Sequence, residues 1–322
     1  GIAQTILSDL NEKHDIFIAE MGAYKKGGIK LLCNMVNPKI GIVTGVNQQH
    51  LATFGTMENL LSAEGGVELA KCLPKGGLII LNGDNKYCLS LYKKIGWGSK
   101  LAAKIYSVGR DRVASDIWTE DIAAEKEGLS FLAMDKNREM AHFDVSILGS
   151  HNIQNLLAGI LTAKELGMSW EEISEAVGEI EPEQGNIILK EGVSGINVID
   201  ATYSANPDGV MADLDYLNLF EAKKAVVMPC LIELGEESKK AHYLIGRKIA
   251  EVADVAIITT KDQFAEIKRG AEAAGMAKEN IIFEENSRKI FEVLTTHFKE
   301  SDAVLLEGRV PENLVKILVD SY

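Results

Sequence analysis

Glu20 and His50 are the first two side chains in this sequence that could do chemistry together. Glu20 closes the stretch His14-Asp15-Ile16-Phe17-Ile18-Ala19-Glu20-Met21-Gly22-Ala23, an unbroken apolar run that ends in a carboxylate. The pattern recurs at Lys39-Ile40-Gly41-Ile42-Val43-Thr44-Gly45, followed by Asn47 and His50. Short continuous apolar runs suit strands buried on both faces of a parallel sheet. Open α/β sheets take their ligands at the C-terminal ends of such strands. Two adjacent strand ends, over 15–19 and 39–44, would set Glu20 and His50 above one crevice. One carboxylate and one imidazole, completed by water and phosphate oxygens, suit Mg2+ or Mn2+. The plainer alternative is a solvated glutamate and a histidine satisfied by backbone.

Three further places carry chemistry-bearing residues at expected strand or helix ends. Gly149-Ser150-His151-Asn152 can open a helix whose amides suit an anion, with Asn152 and Asn155 on one face. An ordinary N-cap explains it equally. The loop Asp200-Ala201-Thr202-Tyr203-Ser204-Ala205-Asn206-Pro207 follows an apolar run and ends in proline, as a site loop or a plain turn would. Glu233-Leu234-Gly235 and Glu307-Gly308-Arg309 occupy matching ends of later runs. Arg309 has the planar fork that grips a carboxylate at two points, or it makes a surface ion pair. The sequence contains no GxxxxGK[ST] loop, and hence no P-loop lysine.

The elements that must position these residues can be read from apolar periodicity. Residues 1–13 read as an amphipathic helix, 28–36 as a second helix, and 56–72 as a third with an acidic first turn. Strand 77–84 and helix 86–94 continue a βαβα rhythm, which implies a right-handed, doubly wound sheet. From Ile105 to Leu148 the runs 104–108, 117–122, 128–134 and 139–145 alternate, as in an antiparallel meander. Helices over 149–166 and from Ser169 follow. A second α/β sheet begins near Gly192, with strands at 197–200, 225–228, 255–260, 281–283 and 303–307. Its helices are expected over 210–219, 238–252, 263–274, 287–298 and 311–319. Two domains result, 1–187 and 188–322.

With 322 residues the chain is long enough for two cores, and 46% hydrophobic with 25% charged residues is a globular balance. No apolar run approaches the roughly 20 residues that cross a bilayer. A net charge of −13, without a basic stretch, argues against nucleic acid or an anionic membrane as partner. Cys33, Cys72, Cys88 and Cys230 are widely spaced and read as reduced thiols of a cytosolic protein. The chain starts at Gly1, directly in a helical pattern, and is expected to be excised from something longer.

Taken together, these stretches resemble the Mur ligases, and within them the branch that joins D-alanyl-D-alanine to UDP-N-acetylmuramoyl-tripeptide. The matching residues are Glu20-Met21-Gly22-Ala23, Thr44 with His50-Leu51 and Phe54-Gly55, and Leu81-Asn82-Gly83-Asp84-Asn85. Further on come Gly149-Ser150-His151-Asn152 with Asn155, Asp200 with Tyr203 and Asn206-Pro207-Asp208, and Glu233-Leu234-Gly235 with His242. The resemblance implies an α/β fold: a P-loop-NTPase-like central domain, here incomplete, followed by a Rossmann-like C-terminal domain. It implies ATP and Mg2+ as cofactors, and UDP-MurNAc-peptide and D-Ala-D-Ala as partners. In the family's reaction ATP phosphorylates the tripeptide carboxylate, and the amine of D-Ala-D-Ala attacks the acyl phosphate to give an amide. Charge neutralisation and the alignment of two substrates by domain closure drive such a reaction. By position, Glu20 and His50 would hold the metal. His151, Asn152, Asn155, Tyr203, Asn206 and Pro207 would bind nucleotide, and Glu64, Asp200 and Arg309 would serve catalysis.

Departures from the family pattern cluster at the chemistry. The family's central-helix lysine falls on Glu64, or on Gly66 in the alternative alignment of Glu68-Leu69; Glu64 could mimic the negative charge of a carbamate. The linker arginine falls near Asn186, the second aspartate of an Asp-Asp pair is Ala201, and Ser204 replaces an asparagine. Removing one oriented group often costs about 2.7–4 kcal/mol of transition-state stabilisation. The chain by itself is therefore expected not to turn over ATP, with a Mur-like binding or scaffold protein as the alternative function. Without a P-loop strand beside it, strand 15–19 is expected to have an unpaired edge and exposed apolar surface, a gap filled by a partner chain, by rearrangement, or by a missing N-terminal segment.

Overall fold

The computed structural model describes residues 1–47, 50–95, 100–109, 115–182, 185–203 and 205–319. Ser204, and residues 48–49 of the loop before His50, lie outside the described residues.

The chain opens with α1 (Ile2–Ser8), α2 (Gly28–Val36), β1 (Ile40–Val43), α3 (Leu51–Phe54), α4 (Met57–Ala63) and α5 (Val67–Cys72). Then come β2 (Leu78–Asn82), α6 (Lys86–Ile95), β3 (Ala102–Ser107), β4 (Ile117–Ala124), β5 (Leu129–Asp135) and β6 (Met140–Val145). Helices α7 (Asn152–Glu165) and α8 (Trp170–Gly178) lead to β7 (Ile188–Glu191), β8 (Asn197–Ala201), α9 (Pro207–Leu217) and β9 (Lys224–Met228). The rest is α10 (Ser238–Val252), β10 (Val255–Ile258), α11 (Phe264–Ala273), β11 (Ile281–Phe283), α12 (Ser287–His297), β12 (Ala303–Glu307) and α13 (Leu314–Val319).

These strands form two six-stranded sheets, β1-β2-β3-β4-β5-β6 and β11-β10-β9-β12-β8-β7. By packing the chain divides into two compact units that interleave along the sequence. The first holds 1–120, 133–140 and 154–170, and the second holds 121–132, 141–153 and 171–322.

In the first unit β1, β2 and β3 run parallel, and β3 pairs parallel with β4. β2 is buried at every position, as a central parallel strand must be. The core gathers Ile29 and Cys33 of α2, Leu60 and Ala63 of α4, Ile79 and Leu81 of β2, and Cys88 and Leu91 of α6. All four cysteines are free thiols. Burial first, then the neighbouring Cys72, pushes the Cys33 thiol up to about 12.

Three expectations for this region are corrected. Residues 15–19 form no strand, and Ile16 and Ile18 are 58% and 87% exposed. An apolar run becomes a strand only where a ladder partner satisfies its backbone and a layer covers its faces. Here neither is present: β1 ends the sheet, so its outer edge is open among the described residues, and Ile42 on it is 39% exposed. The expected helix 56–72 is two helices, broken at Gly65-Gly66. Gly66 sits at φ +79°, and a Cβ there would collide with the Val43 side chain, so the chain turns where only glycine fits. The expected meander also starts later than its alternation suggested, because β3 is a parallel neighbour of β2.

The second unit's sheet is parallel except for β7, which runs antiparallel to β8 and was not expected from the sequence. β12 lies in its middle, fully buried. On one face Val210, Leu214 and Leu217 of α9 and Ile245 and Ile249 of α10 pack over Ile199, Val226 and Leu305. On the other, Ile290 and Leu294 of α12 and Leu314 and Leu318 of α13 cover Val198, Val227 and Leu306. No helix among the described residues is long and apolar enough to cross a membrane.

Candidate functional site

The candidate residues fall in two groups, and each is built by its own local rules. In the first unit the loop after β1 is pinned by two asparagines at the end of β2. Asn82 Nδ2 donates to the Thr44 carbonyl (2.8 Å) and to Gln154 Oε1 (2.9 Å). Asn85 Nδ2 donates to the Val46 carbonyl (3.0 Å), while its Oδ1 accepts from the Tyr87 and Cys88 amides and starts α6. Asp84 accepts from the Val108 amide at 2.6 Å. The run Asn82-Gly83-Asp84-Asn85 therefore acts as a set of clamps on its neighbours.

The clamped loop delivers His50 to the N-terminal end of α3, where its carbonyl accepts from Thr53 and Phe54. His50 Nδ1 lies 2.7 Å from Glu64 Oε1, with side chains 31% and 23% exposed. Glu64 is the C-cap of α4, and Thr56 caps the other end by accepting from the Asn59 amide. A carboxylate on one ring nitrogen fixes the tautomer and leaves the other nitrogen to accept a ligand. Glu20, expected at a strand end, lies exposed in an irregular stretch, because residues 15–19 are not a strand. Among the described residues no three His, Cys, Asp or Glu side chains gather into a metal cage. His50 and its carboxylate neighbour suit a Mg2+ that keeps most of its waters and takes only one or two protein groups.

Glu68, in the first turn of α5, is buried and faces inward instead. Its oxygens accept from the Gly27 amide (2.7 Å), the Lys30 amide (3.0 Å) and the Ser62 hydroxyl (3.3 Å). It thereby satisfies the first turn of α2, whose own N-cap is a glycine.

In the second unit Asp200 is the last residue but one of β8, and both its carboxylate oxygens are engaged. Lys190 Nζ donates to its Oδ2 at 2.7 Å, and the Thr202 hydroxyl and amide donate to Oδ1 at 2.6 and 3.2 Å. Burial pushes its pKa upward, but Lys190 and Thr202 outweigh burial and hold it below the ordinary carboxylate range. Tyr203 follows and is 61% exposed. Asn206 caps α9 by accepting from the Asp208 and Gly209 amides, and Pro207 takes the first helical position. Arg309 is exposed, and among the described residues no carboxylate pairs with it. Asn186, at the expected linker-arginine position, is a half-buried bridge residue.

Before α7, the Asn152 and Ile153 amides donate to the Gly149 and Ser150 carbonyls, and Asn152 Nδ2 donates to Leu148. These two amides are thus taken by the turn itself. Asn155 lies exposed on α7. His151 lies just before that helix, its Nδ1 buried without a partner among the described residues, and burial lowers its pKa. His242 is buried on α10, accepting from the Leu231 amide at 2.8 Å, so it fixes the loop after β9.

Sequence reasoning missed two juxtapositions: His50 with Glu64, 2.7 Å apart, and the buried carboxyls of Glu307 and Asp213, which face each other. The first spans two short helices. The second joins a strand end to a helix far away in sequence. A carboxylate closing the wholly apolar run Ala303–Leu306 was the one available signal for the second.

The comparisons with known proteins agree across the chain. The family model described as "Mur ligase middle domain" matches residues 1–163, and that described as "Mur ligase, glutamate ligase domain" matches 187–310. The UDP-N-acetylmuramoyl-tripeptide--D-alanyl-D-alanine ligase of Bacillus subtilis is 25% identical over 326 residues, covering 100% of this chain and 68% of the relative. The enzyme of that name from Mycobacterium tuberculosis is 27% identical over 270 residues, covering 81% of this chain and 51% of the relative. The chain thus spans about half to two-thirds of the length of the curated relatives it matches. Among solved structures, MurF from Acinetobacter baumannii superposes with a TM-score of 0.83 at 20% identity, covering 98% of this chain and 67% of that one. MurF ligase from Thermotoga maritima, solved in complex with ADP, gives 0.81 at 21% identity, covering 98% and 70%. At such identity the structures show a shared fold.

Proposed function

We propose, for a chain that belongs to the Mur ligase family, the reaction in its relatives' names: ATP-dependent amide formation joining D-alanyl-D-alanine to UDP-N-acetylmuramoyl-tripeptide. The observation that carries this reading is the tandem of middle and glutamate-ligase domain matches, at 1–163 and 187–310, with a relative of that name aligned over the whole chain. We take 1–187 and 188–322 as the two functional domains.

When bound, Mg2+ and ATP supply charge neutralisation and the phosphoryl group. The chain's own residues position them. His50, with Nδ1 held by Glu64 at 2.7 Å, offers its other nitrogen to the metal's side of the site, and Glu20 adds an exposed carboxylate. Glu64 places negative charge where the family has its lysine. Asp200, tied to Lys190 and Thr202, shapes the turn that exposes the Tyr203 ring for stacking, and Asn206-Pro207 fix where that turn becomes helix. His151, Asn152 and Asn155, at the start of α7, would lie near the nucleotide by their match to the family motif. Arg309 offers a two-pronged grip to a substrate carboxylate.

The 322 residues by themselves do not turn over ATP, in this reading, since they lack a P-loop lysine and carry Glu64, Asn186 and Ala201 at family positions of other chemistry. ADP release in the presence of UDP-MurNAc-tripeptide and D-Ala-D-Ala tests it: robust turnover by this polypeptide alone refutes the claim. A second reading, a binding or scaffold protein of Mur type, is favoured by those same substitutions. Retained UDP-peptide affinity with no ATP affinity would select it.

A further inference from the structure

β12 ends at Glu307, which is 1% exposed, and Asp213 on α9 is 8% exposed. Both lie in the second unit, as does His151. Among the described residues, no hydrogen-bond partner reaches either carboxylate oxygen of Glu307, or Nδ1 of His151. The group that faces Glu307 is the Asp213 carboxyl, and Asp213 in turn faces His151. Asp200, on the strand beside β12, is held by Lys190, and Arg309, two residues after Glu307, is exposed.

Two ionised carboxylates cannot share a dry site without a counter-charge. Burial, then Asp213, drives the Glu307 carboxyl far above the usual range, and burial raises Asp213 as well. Burial keeps His151 neutral, so no cation compensates them. A single proton between the two carboxyls resolves the conflict, because an O–H donating to a carboxylate is among the stronger hydrogen bonds.

Gly308 follows at φ +63°, and its amide donates to the Ala201 carbonyl at 3.0 Å. A Cβ at that position would lie 3.0 Å from the Ala205 Cβ, so the end of β12 lies against Ala205. We propose that Glu307 and Asp213 hold one proton between them, and that this proton pins the end of β12 to α9 and so fixes Ala201, Ala205 and Arg309. Glu307 and Asp213 are thus positioning residues, and the inference stands whether or not the ligase reading does.

Carboxyl NMR of the full chain, labelled with 13C in the glutamate side chains, tests this directly. One glutamate carboxyl should remain protonated through pH 7, its signal absent from Glu307→Gln. The Gly308 and Ala205 amides should shift with the same midpoint as that carboxyl, a readout that mere packing would not move. Thermal unfolding should lose stability from pH 7 to pH 9 more steeply in the wild type than in Glu307→Gln or Asp213→Asn. If every glutamate carboxyl titrates in the ordinary range, or if the two amides ignore the titration, the proposal is overturned. Equal pH slopes for wild type and Glu307→Gln overturn it too. Should that variant fail to fold, the wild-type carboxyl and amide titrations decide alone.

Discussion

Among the described residues each unit buries one glutamate, and the chain treats the two in opposite ways. Glu68 in the first unit is surrounded by donors: two amides of the α2 first turn and the Ser62 hydroxyl. Glu307 in the second has no donor among the described residues and looks at another carboxyl. The exposures are similar, 7% and 1%, so burial alone does not decide what a carboxyl does. What decides is whether the surroundings solvate the charge. Fixed N–H groups take the place of water for Glu68, whereas Glu307 can stay inside only by keeping a proton.

That contrast is broken most directly by pH. With the Glu307 pKa raised in the native state, the unfolded chain binds fewer protons above the ordinary carboxylate range, so stability falls as pH rises. The slope is at most about 1.4 kcal/mol per pH unit for one proton. His151, lowered by burial, acts with the other sign, its penalty appearing on the acid side below about 6.5. Between pH 7 and 9 the buried Cys33 and Cys88 thiols, also raised by burial, act in the same direction, so the Glu307 effect is read as the difference between the wild type and Glu307→Gln. Over that span the wild type should lose up to about 2.7 kcal/mol relative to Glu307→Gln, measured by urea unfolding at each pH.

The other half of the comparison is Glu68→Ala. It leaves the Gly27 and Lys30 amides unpaired at the start of α2, and hydrogen bonds to a charged group are worth about 1.5–3 kcal/mol. A loss of that size is expected in urea unfolding at pH 7, where Glu307→Gln should cost nothing or stabilise. If both substitutions destabilise equally, the distinction between a solvated and an unsolvated buried carboxyl fails. Asn206 does for α9, with a neutral oxygen, what Glu68 does for α2 with a charged one. Asn206→Ala should cost about 1 kcal/mol, less than Glu68→Ala, by the same assay.

The second unit was the more legible of the two in the sequence. Its apolar runs became β8, β9, β10, β11 and β12 within a residue or two, because each has a paired neighbour on the sheet and a helix layer over its face. In the first unit the run at 15–19 has the same composition but no partner, and it stays irregular. Composition can state what a strand would be made of but not whether a ladder exists beside it. The break at Gly65-Gly66 was visible as two glycines, yet the bulk of the Val43 side chain that forbids a Cβ there belongs to β1. Among the site residues, strand-end placement was readable for Asp200 and Arg309, since a polar residue after an apolar run marks the end. Side-chain partnerships were not readable. Nothing in the spacing of His50 and Glu64 shows that two separate short helices turn them toward each other, or that Asp213 faces a strand end.

The His50–Glu64 pair supplies the gentlest test, a carboxylate neither buried nor left without a partner. At 31% and 23% exposure, water competes for both ends of the 2.7 Å contact, and exposed pairs of this kind are worth about 0.2–1 kcal/mol. Glu64→Gln should therefore leave stability within about 1 kcal/mol of the wild type. What it should change is the ring. With the carboxylate present, the proton of a neutral His50 belongs on Nδ1 and the other nitrogen accepts; with an amide that bias weakens. Nitrogen NMR of the His50 ring reads the tautomer, and line broadening on adding Mn2+ reads whether the accepting nitrogen meets a cation. A tautomer shift with reduced broadening in Glu64→Gln would mark Glu64 as a functional positioner rather than a stabilising one. An unchanged ring and unchanged broadening would leave it as an ordinary surface carboxylate, and would remove Glu64 as a stand-in for the family's lysine.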